Sequence, residues 1–174
     1  DPDTKEVTET FDTPGLPSEL AVGEGALWVG IAGGRGDTNA TVGVARMDPD
    51  DGRVTGTARL PGGDEGVYPV GGTPRLAVGE GAVWAANPDG SVSRIDPKNG
   101  RVVATIETKQ LAWTIAAGDG GVWFLGFDGP TGVTQIDTRR NRVGRTIPVG
   151  ASSLLGVAVG GGSVWAAADQ DGVV

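Results

Sequence analysis

The sequence predicts an all-β fold, a β-propeller, from three observations. A nine-residue stretch with two apolar runs, a Gly-x-Gly turn and a final tryptophan occurs four times, at residues 20–28, 76–84, 115–123 and 157–165. A strand–turn–strand unit with an aspartate at its turn follows the first three copies. Equivalent glycines of the four copies are 56, 39 and 42 residues apart. Units of about 40 residues with four short strands are typical of propeller blades.

The nine-residue stretch predicts a β-hairpin, whose strands we name A and B. Two apolar runs joined by a tight Gly-x-Gly turn are the usual signal for such a hairpin. The final tryptophan occupies one position in all four units, and a ring of this size buries about 150–250 Å². We therefore predict that these tryptophans pack one blade against the next, in preference to forming an aromatic ligand cage: Trp28, Trp84, Trp123 and Trp165.

The unit that follows predicts a second hairpin, strands C and D. It reads Arg-Met-Asp-Pro-Asp-Asp-Gly-Arg-Val in the first copy and Arg-Ile-Asp-Pro-Lys-Asn-Gly-Arg-Val in the second. Proline suits the first corner of a turn, and glycine or asparagine suits its left-handed position. We expect turn carboxylates such as Asp48 and Asp50 to bond local amides, because the spacing of an EF-hand calcium loop is absent.

The two ends of the sequence predict how the blades are arranged. Residues 1–10 follow the C–D pattern, and residues 171–174 align with residues 89–92. We expect a single domain, 1–174, of four blades, in which an N-terminal strand within residues 5–12 closes the last blade and removes an exposed sheet edge. The alternative is a fragment of a larger propeller. The repeat units lie at about 17–57, 73–105, 112–146 and 154–174 plus 1–12.

Composition excludes several classes of function. The 174 residues carry a net charge of −8, so a nucleic-acid backbone or an anionic membrane surface is an unfavourable partner. The chain has no cysteine and no histidine, which removes disulfides, a Ser-His-Asp triad and histidine metal sites. No apolar run reaches the roughly 20 residues of a membrane span. We expect no nucleic-acid partner, no membrane insertion, no metal site built on histidine and no catalytic residue.

Binding residues are expected on one rim of the propeller. The A–B and C–D turns share one rim and are similar between units, whereas the B–C and D–A loops share the other rim and vary. Variable loops on a rigid scaffold are where binding residues usually lie. Three aromatic residues there fall outside the repeat pattern, and the residues just before strand A differ in chemistry between units. The predicted binding residues are Glu19, Arg75, Thr114, Trp113, Tyr68, Phe127, Asp64 and Arg35.

The combined pattern G-x-G-x-[VL]-W and x-R-I-D-P-x-x-G-x-V-x-x-T resembles YVTN-type β-propeller repeats over nearly the whole chain. Such repeats occur in lactonase-like and virginiamycin-B-lyase-like proteins and in extracytoplasmic sensor regions of bacterial proteins. The resemblance implies a propeller fold, usually of about seven blades, of which the four repeats of this chain would be a fragment. It also implies an extracytoplasmic location, either secreted, periplasmic or at the cell surface. The lyase-like enzymes use histidine and carboxylates around a metal, and that catalytic set does not carry over to a chain without histidine.

Three functions are compatible with these patterns. The first is a non-enzymatic ligand- or protein-binding or sensor module that uses the variable rim and needs no cofactor. The second is a lactonase- or lyase-like enzyme with Ca²⁺ or Mg²⁺ held at the channel mouth by carboxylates such as those of Glu19 or Asp64. The third is a structural spacer. The expected partner is a protein or a small molecule, and a propeller fragment is expected to self-associate.

Overall fold

The computed structural model describes residues 1–32, 42–62, 73–127, 131–150 and 153–168. Within these ranges the chain is all-β, with fourteen strands in antiparallel sheets and no helix. Consecutive strands are neighbours in every sheet, which is the meander of a propeller blade. The same ranges therefore contain no long apolar helix that could cross a bilayer. The prediction of a β-propeller built from short-stranded blades is confirmed.

The strands are numbered in chain order, and blades 1, 2 and 3 each contain four strands. Those of blade 1 are β1 (Leu16–Gly23), β2 (Ala26–Ala32), β3 (Gly43–Met47) and β4 (Val54–Arg59). Those of blade 2 are β5 (Arg75–Gly79), β6 (Ala82–Ala86), β7 (Ser91–Asp96) and β8 (Arg101–Glu107). Those of blade 3 are β9 (Ala112–Gly118), β10 (Gly121–Gly126), β11 (Gly132–Asp137) and β12 (Arg142–Pro148). Those described for blade 4 are β13 (Leu154–Gly160) and β14 (Ser163–Ala168).

The A–B turns explain why the hairpins close so tightly. The residue after the first glycine is left-handed, with φ of 51° at Glu24, 56° at Glu80 and 47° at Asp119. The glycine that follows is left-handed too, with φ of 68° at Gly81. Two successive left-handed residues make the turn whose twist matches that of paired strands. The Gly-x-Gly motif therefore fixes the register of strands A and B.

The core lies between the blades. Each blade has a tryptophan face, which carries the tryptophan of strand B, and an opposing face, which carries the first buried apolar residues of strand A. Trp28 of blade 1 packs with Leu76 of blade 2, and Trp84 of blade 2 packs with Ile115 of blade 3. Both rings are fully buried, and Trp123 of blade 3 is nearly so. The predicted packing role is confirmed for these three tryptophans.

Arginines of strand C link neighbouring blades at the rim of the C–D turns. Arg46 Nε donates to the carbonyl oxygen of Pro97 at 2.9 Å, and Arg94 Nη1 donates to that of Thr138 at 3.1 Å. The guanidinium carbon of Arg94 also lies 5.3 Å from the centroid of the Trp84 ring. Hydrogen bonds from charged groups stabilise by roughly 1.5–3 kcal/mol, so these arginines help to fix the spacing of the blades.

The C–D turns use their aspartates locally, as predicted. Asp48 Oδ1 accepts a hydrogen bond from the backbone N–H of Asp50 at 2.9 Å. In blade 3, Arg140 Nη1 lies 3.0 Å from Asp137 Oδ2. This hydrogen bond lowers the pKa of Asp137 below its usual value. The carboxylates therefore stabilise the turn itself.

The N-terminal segment does not take its predicted place. Residues 1–12 form no strand, and in the described part of the chain β13 and β14 pair only with each other. The expected closure of the last blade by residues 5–12 is therefore not observed. Phe11 instead packs on the opposing face of blade 1, with Val29 and Met47, which it shields from water. Three full blades and two strands of a fourth are compatible with the alternative, a fragment of a larger propeller.

Candidate functional site

The variable rim lies where strand A begins and strand B ends. These strands are antiparallel, so the start of A and the end of B share one edge of each sheet. Glu19 and Arg75 lie in the first halves of β1 and β5, Trp113 lies near the start of β9, and Phe127 directly follows β10. The fold thus places four predicted binding residues, from three blades, on one rim.

These four side chains form a continuous set of contacts, which we name the rim array (Glu19, Arg75, Trp113 and Phe127). Arg75 Nη1 donates to Glu19 Oε2 at 3.1 Å. The guanidinium carbon of Arg75 lies 5.8 Å from the centroid of the Trp113 ring. The Trp113 and Phe127 ring centroids are 6.2 Å apart, with the planes tilted by 34°. An ion pair, a cation–π contact and an aromatic pair therefore link blades 1, 2 and 3.

A β-bulge places Trp113 at the rim. The register of β9 against β10 pairs Ala112 with Gly126 and Thr114 with Leu125, so Trp113 is the extra residue between the two pairs. A bulge interrupts the alternation of side chains along a strand and re-aims one of them, and bulges are frequent beside functional sites. The backbone irregularity therefore gives Trp113 a direction that regular strand geometry would not.

The same bulge recurs in blades 1 and 4. Its extra residue is Ser18 in β1 and Leu155 in β13. Ser18 Oγ donates to the carbonyl oxygen of Gly30 at 3.0 Å, whereas the side chain of Leu155 is half exposed. The bulge is therefore common to blades 1, 3 and 4, whereas its side chain differs between them. A repeat fold can in this way form a site in some of its blades and not in others.

A cleft of ≈ 360 Å³ lies beside the rim array, between blades 3 and 4. Ligand pockets range from about 300 to 1,000 Å³, so this cleft suits a small ligand. Its described lining includes two aromatic rings, three leucine side chains and two hydroxyl groups, from Trp113, Phe127, Leu125, Leu154, Leu155, Thr131 and Ser153. Apolar surface slightly exceeds polar surface in this lining.

The charges of the rim array balance each other. The side chains of Arg75 and Glu19 are 37% and 28% exposed, and a pair of this exposure stabilises a fold by about 1 kcal/mol or less. Its main effect is positional, because it holds the guanidinium against the Trp113 ring. Among the described residues, no group of three or more His, Cys, Asp or Glu side chains is placed to hold a metal ion.

The other predicted binding residues have different outcomes. Thr114 follows the bulge in β9 and is half-buried opposite Leu125. Glu19, Arg75 and Thr114 were expected just before strand A, and they lie within the strand instead. The strands extend further toward the rim than the repeat motif indicates. Three predicted residues lie outside the described part of the chain: Arg35, Asp64 and Tyr68.

Sequence reasoning missed the contribution of blade 4 to the cleft. Leu155 occupies the same bulge position as Trp113, one residue before the positions of Thr114 and Gly156. The available signal was an apolar residue at this position in two successive units, where blade 1 has Ser18. A comparison of the repeats that begins at Thr114 and Gly156 does not include the bulge position and therefore does not reveal this similarity.

A buried polar network on the same rim was also missed. Asn87 Nδ2 donates to Ser91 Oγ and to Ser93 Oγ, both at 2.8 Å, and Ser91 Oγ donates to Asp89 Oδ1 at 2.7 Å. Asn87 Oδ1 is buried without a hydrogen-bond partner among the described residues. The signal was the contrast with blade 1, which has apolar residues at the three equivalent positions: Ile31, Gly43 and Ala45.

No protein-family model and no curated protein matches the chain. Among solved structures, hydrazine synthase from Kuenenia stuttgartiensis matches with a TM-score of 0.70 and 17% identity, over 97% of this chain and 46% of that one. Glutaminyl cyclase from Myxococcus xanthus matches with a TM-score of 0.57 and 11% identity, over 91% of this chain and 63% of that one. Dihydro-heme d1 dehydrogenase NirN matches with a TM-score of 0.58 and 15% identity, over 84% and 31%.

These solved structures are β-propeller proteins. The chain spans less than two thirds of the length of each. At identities of 11–17% the similarity establishes the β-propeller fold and nothing about chemistry. The YVTN-type resemblance therefore rests on the repeat motifs alone.

Proposed function

We propose that the chain is a non-enzymatic binding module whose rim array and adjacent cleft take up a small, largely apolar ligand with a ring-sized group. The observation that carries the proposal is the rim array itself. Its residues do not follow the repeat pattern and come from three blades, yet they contact one another beside a cleft. Blade packing does not require them, because Trp28 and Trp84 already fill the interfaces between those blades.

The lining of the cleft supports this class of ligand. Two rings and three leucine side chains favour an apolar group, and the hydroxyls of Thr131 and Ser153 can orient one polar atom of the ligand. The Arg75–Glu19 pair restricts the Trp113 ring before binding. Pre-organisation of this kind improves affinity, since less side-chain entropy is lost when the ligand arrives.

The resemblance of the repeats to YVTN-type sequences also supports the proposal. YVTN-type repeats occur in extracytoplasmic sensor regions, and a sensor needs a site that binds without chemical turnover. We therefore place this module outside the cytoplasm as part of the proposal. Neither ligand uptake at the cleft nor this location needs a metal or a cofactor.

Titration of the ¹⁵N-labelled chain with 2-naphthol tests the proposal. This probe is a neutral double ring with one hydroxyl, which matches the rings and hydroxyl groups of the cleft. We expect shifts at the indole N–H of Trp113 and at the backbone amides of Phe127 and Leu155, since these residues line the cleft. Trp113→Ala is expected to weaken binding about tenfold, because the contact loses on the order of 60 Å² of apolar area.

Val103→Ala is the matched control, because it shortens an exposed apolar side chain on β8, the outer strand of blade 2, and Val103 does not line the cleft. It should leave the affinity for 2-naphthol unchanged. Shifts confined to other residues, no shift at millimolar probe, or equal affinity in the Trp113→Ala chain would each overturn the proposal.

A further inference from the structure

We infer that Asn99 is a site of spontaneous deamidation and that Asp96 suppresses this reaction while the chain is folded. Asn99-Gly100 is the only Asn-Gly pair in the sequence, and it lies in the C–D turn between β7 and β8 of blade 2. The inference concerns a chemical modification of the chain itself. It therefore goes beyond ligand binding at the rim and does not depend on it.

The reaction needs only the chain and water. The backbone nitrogen of Gly100 bonds to Cγ of Asn99, the Cγ–Nδ2 bond breaks, and Nδ2 leaves as ammonia with the proton of the Gly100 N–H. Water then opens the resulting cyclic imide. Cleavage of the new Cγ–N bond gives aspartate, and cleavage of the original peptide bond gives isoaspartate. Glycine favours the first step, because a residue without a Cβ leaves its nitrogen the most room to approach Cγ.

The folded turn holds each of the reacting groups in a hydrogen bond. Asn99 is exposed to water, but its Nδ2, the leaving group, donates to Asp96 Oδ2 at 2.7 Å. Its Oδ1 accepts from the backbone N–H of Arg101 at 2.9 Å. The N–H of Gly100, the nucleophile, donates to the carbonyl oxygen of Asp96 at 2.9 Å. Attack on Cγ therefore has to wait until the turn opens.

Asp96 makes most of the bonds that keep the turn closed. Its carbonyl oxygen and Oδ2 hold the nucleophile and the leaving group, and its Oδ1 accepts from the backbone N–H of Lys98 at 2.9 Å. Hydrogen bonds to an ionised acceptor are stronger than those between neutral groups. Local openings of a fold have their own free energies, and for this turn Asp96 makes the largest contribution.

Blade 1 shows that the aspartate product fits the turn. Asp51 occupies the position of Asn99, and its Oδ1 accepts from the backbone N–H of Arg53 at 2.9 Å. The glycines that follow have the same conformation, with φ of 69° at Gly52 and 67° at Gly100. The chain therefore already contains this turn with an aspartate, and Asn99→Asp is expected to leave the stability unchanged.

The isoaspartate product does not fit, because it adds a methylene group to the main chain of the turn. The turn packs closely on blade 1: a Cβ added at Gly56 would lie 3.1 Å from the carbonyl oxygen of Asn99. Arg46 Nε of blade 1 also donates to the carbonyl oxygen of Pro97 at 2.9 Å. A longer turn displaces both contacts. Isoaspartate at this position is therefore expected to weaken the interface between blades 1 and 2.

Incubation of the full chain at mildly alkaline pH, with and without guanidinium chloride, tests the inference. Peptide mapping by mass spectrometry measures deamidation at Asn99, and synthetic peptides distinguish aspartate from isoaspartate. We expect the reaction to be at least about 100-fold slower in the folded chain, because the bonds of the turn have to break first. Equal rates in the two conditions, or an Asn99 that stays intact in the unfolded chain, would overturn the inference.

Asp96→Asn tests the protecting residue. It keeps an oxygen for the N–H of Lys98 but replaces the oxygen that accepts from Asn99 by a donor. The new asparagine precedes Pro97, whose nitrogen carries no proton, so it adds no second site of the same kind. Deamidation of the folded chain is expected to become about tenfold faster, since one hydrogen bond to a charged acceptor is lost. Asp48→Asn, the same change in blade 1, is the matched control and should leave the rate unchanged.

Amide hydrogen exchange links the faster reaction to opening of the turn. Exchange of the Gly100 N–H should rise in Asp96→Asn by the same factor as deamidation and stay unchanged in Asp48→Asn. Circular dichroism checks that both variants are folded, and the comparison of folded and unfolded wild type does not depend on them. Equal deamidation rates in the two variants, or faster deamidation without faster exchange, would overturn the role of Asp96.

Urea denaturation of the modified chains tests the effect on the blade interface. Chains deamidated in guanidinium chloride and then refolded carry one additional negative charge, so ion exchange separates them from unmodified chains. We expect two populations, one with the urea midpoint of Asn99→Asp and one, containing isoaspartate, with a lower midpoint. A single midpoint equal to that of Asn99→Asp, in material shown by peptide mapping to contain isoaspartate, would contradict the expected weakening.

Discussion

Trp84→Ala is expected to destabilise the chain by about 3–5 kcal/mol, the usual cost of removing a large buried aromatic side chain. The ring is fully buried between blades 2 and 3 and packs with Ile115 and Phe124. Its Nε1 donates to the carbonyl oxygen of Gly79 at 3.1 Å, and Arg94 lies over its face. Since whole domains are stable by about 5–15 kcal/mol, this one change removes a large part of the total.

The repeat provides a matched control at the same position of another blade. Trp165→Ala removes the same atoms from a half-exposed site, so the expected loss is below about 1 kcal/mol. Urea denaturation followed by circular dichroism gives the free energy of unfolding. Equal losses for the two tryptophans would contradict the assignment of the core to the internal blade interfaces.

The fold could be predicted from the sequence because the determinants of a blade are local and repeated. The Gly-x-Gly turn sets the hairpin register through left-handed residues such as Glu80 and Gly81. The tryptophan that follows recurs in all four units and is buried wherever a next blade exists to cover it. Because the turn and the tryptophan recur in four units, the sequence indicates the blade more strongly than a single copy would.

The site was predicted only in part, for physical reasons that single residues illustrate. Trp113 and Phe127 were recognisable because they are aromatic and outside the repeat. Their contact with Arg75 depends on the bulge that gives β9 one extra residue, and motif comparison does not reveal a bulge. Leu155 was missed because its role comes from the packing of blade 4 beside blade 3. The N-terminal closure is not observed, because alignment identified residues 1–12 as an outer strand whereas they form no strand in the structure.

The second large effect is expected at the buried polar network of blade 2. Asn87→Ile removes the amide that donates to Ser91 and Ser93, and it leaves the fully buried Ser93 hydroxyl without this partner. An unsatisfied buried polar group costs about 1–3 kcal/mol. We expect a loss of about 1–3 kcal/mol in the free energy of unfolding, measured in urea.

The chain's own blade 1 shows how to recover that loss. Its residues at the three equivalent positions are Ile31, Gly43 and Ala45, and they form an apolar edge within a well-packed blade. The combined variant Asn87→Ile, Ser91→Ala and Ser93→Ala should therefore come within about 1 kcal/mol of the original stability, because both sides of each hydrogen bond are replaced together.

The comparison of the single and triple variants separates two causes of the same loss. If unsatisfied hydroxyls cause it, the two alanines restore stability although they remove further hydrogen bonds. A triple variant as unstable as Asn87→Ile alone would contradict this account and assign the loss to overpacking. Restored stability would show that the backbone of blade 2 accepts an apolar edge as readily as blade 1 does. The polar network would then be a replaceable feature of blade 2. Asn87 Oδ1, which has no hydrogen-bond partner within the described part of the chain, would be a feature of the rim and not a requirement of the fold.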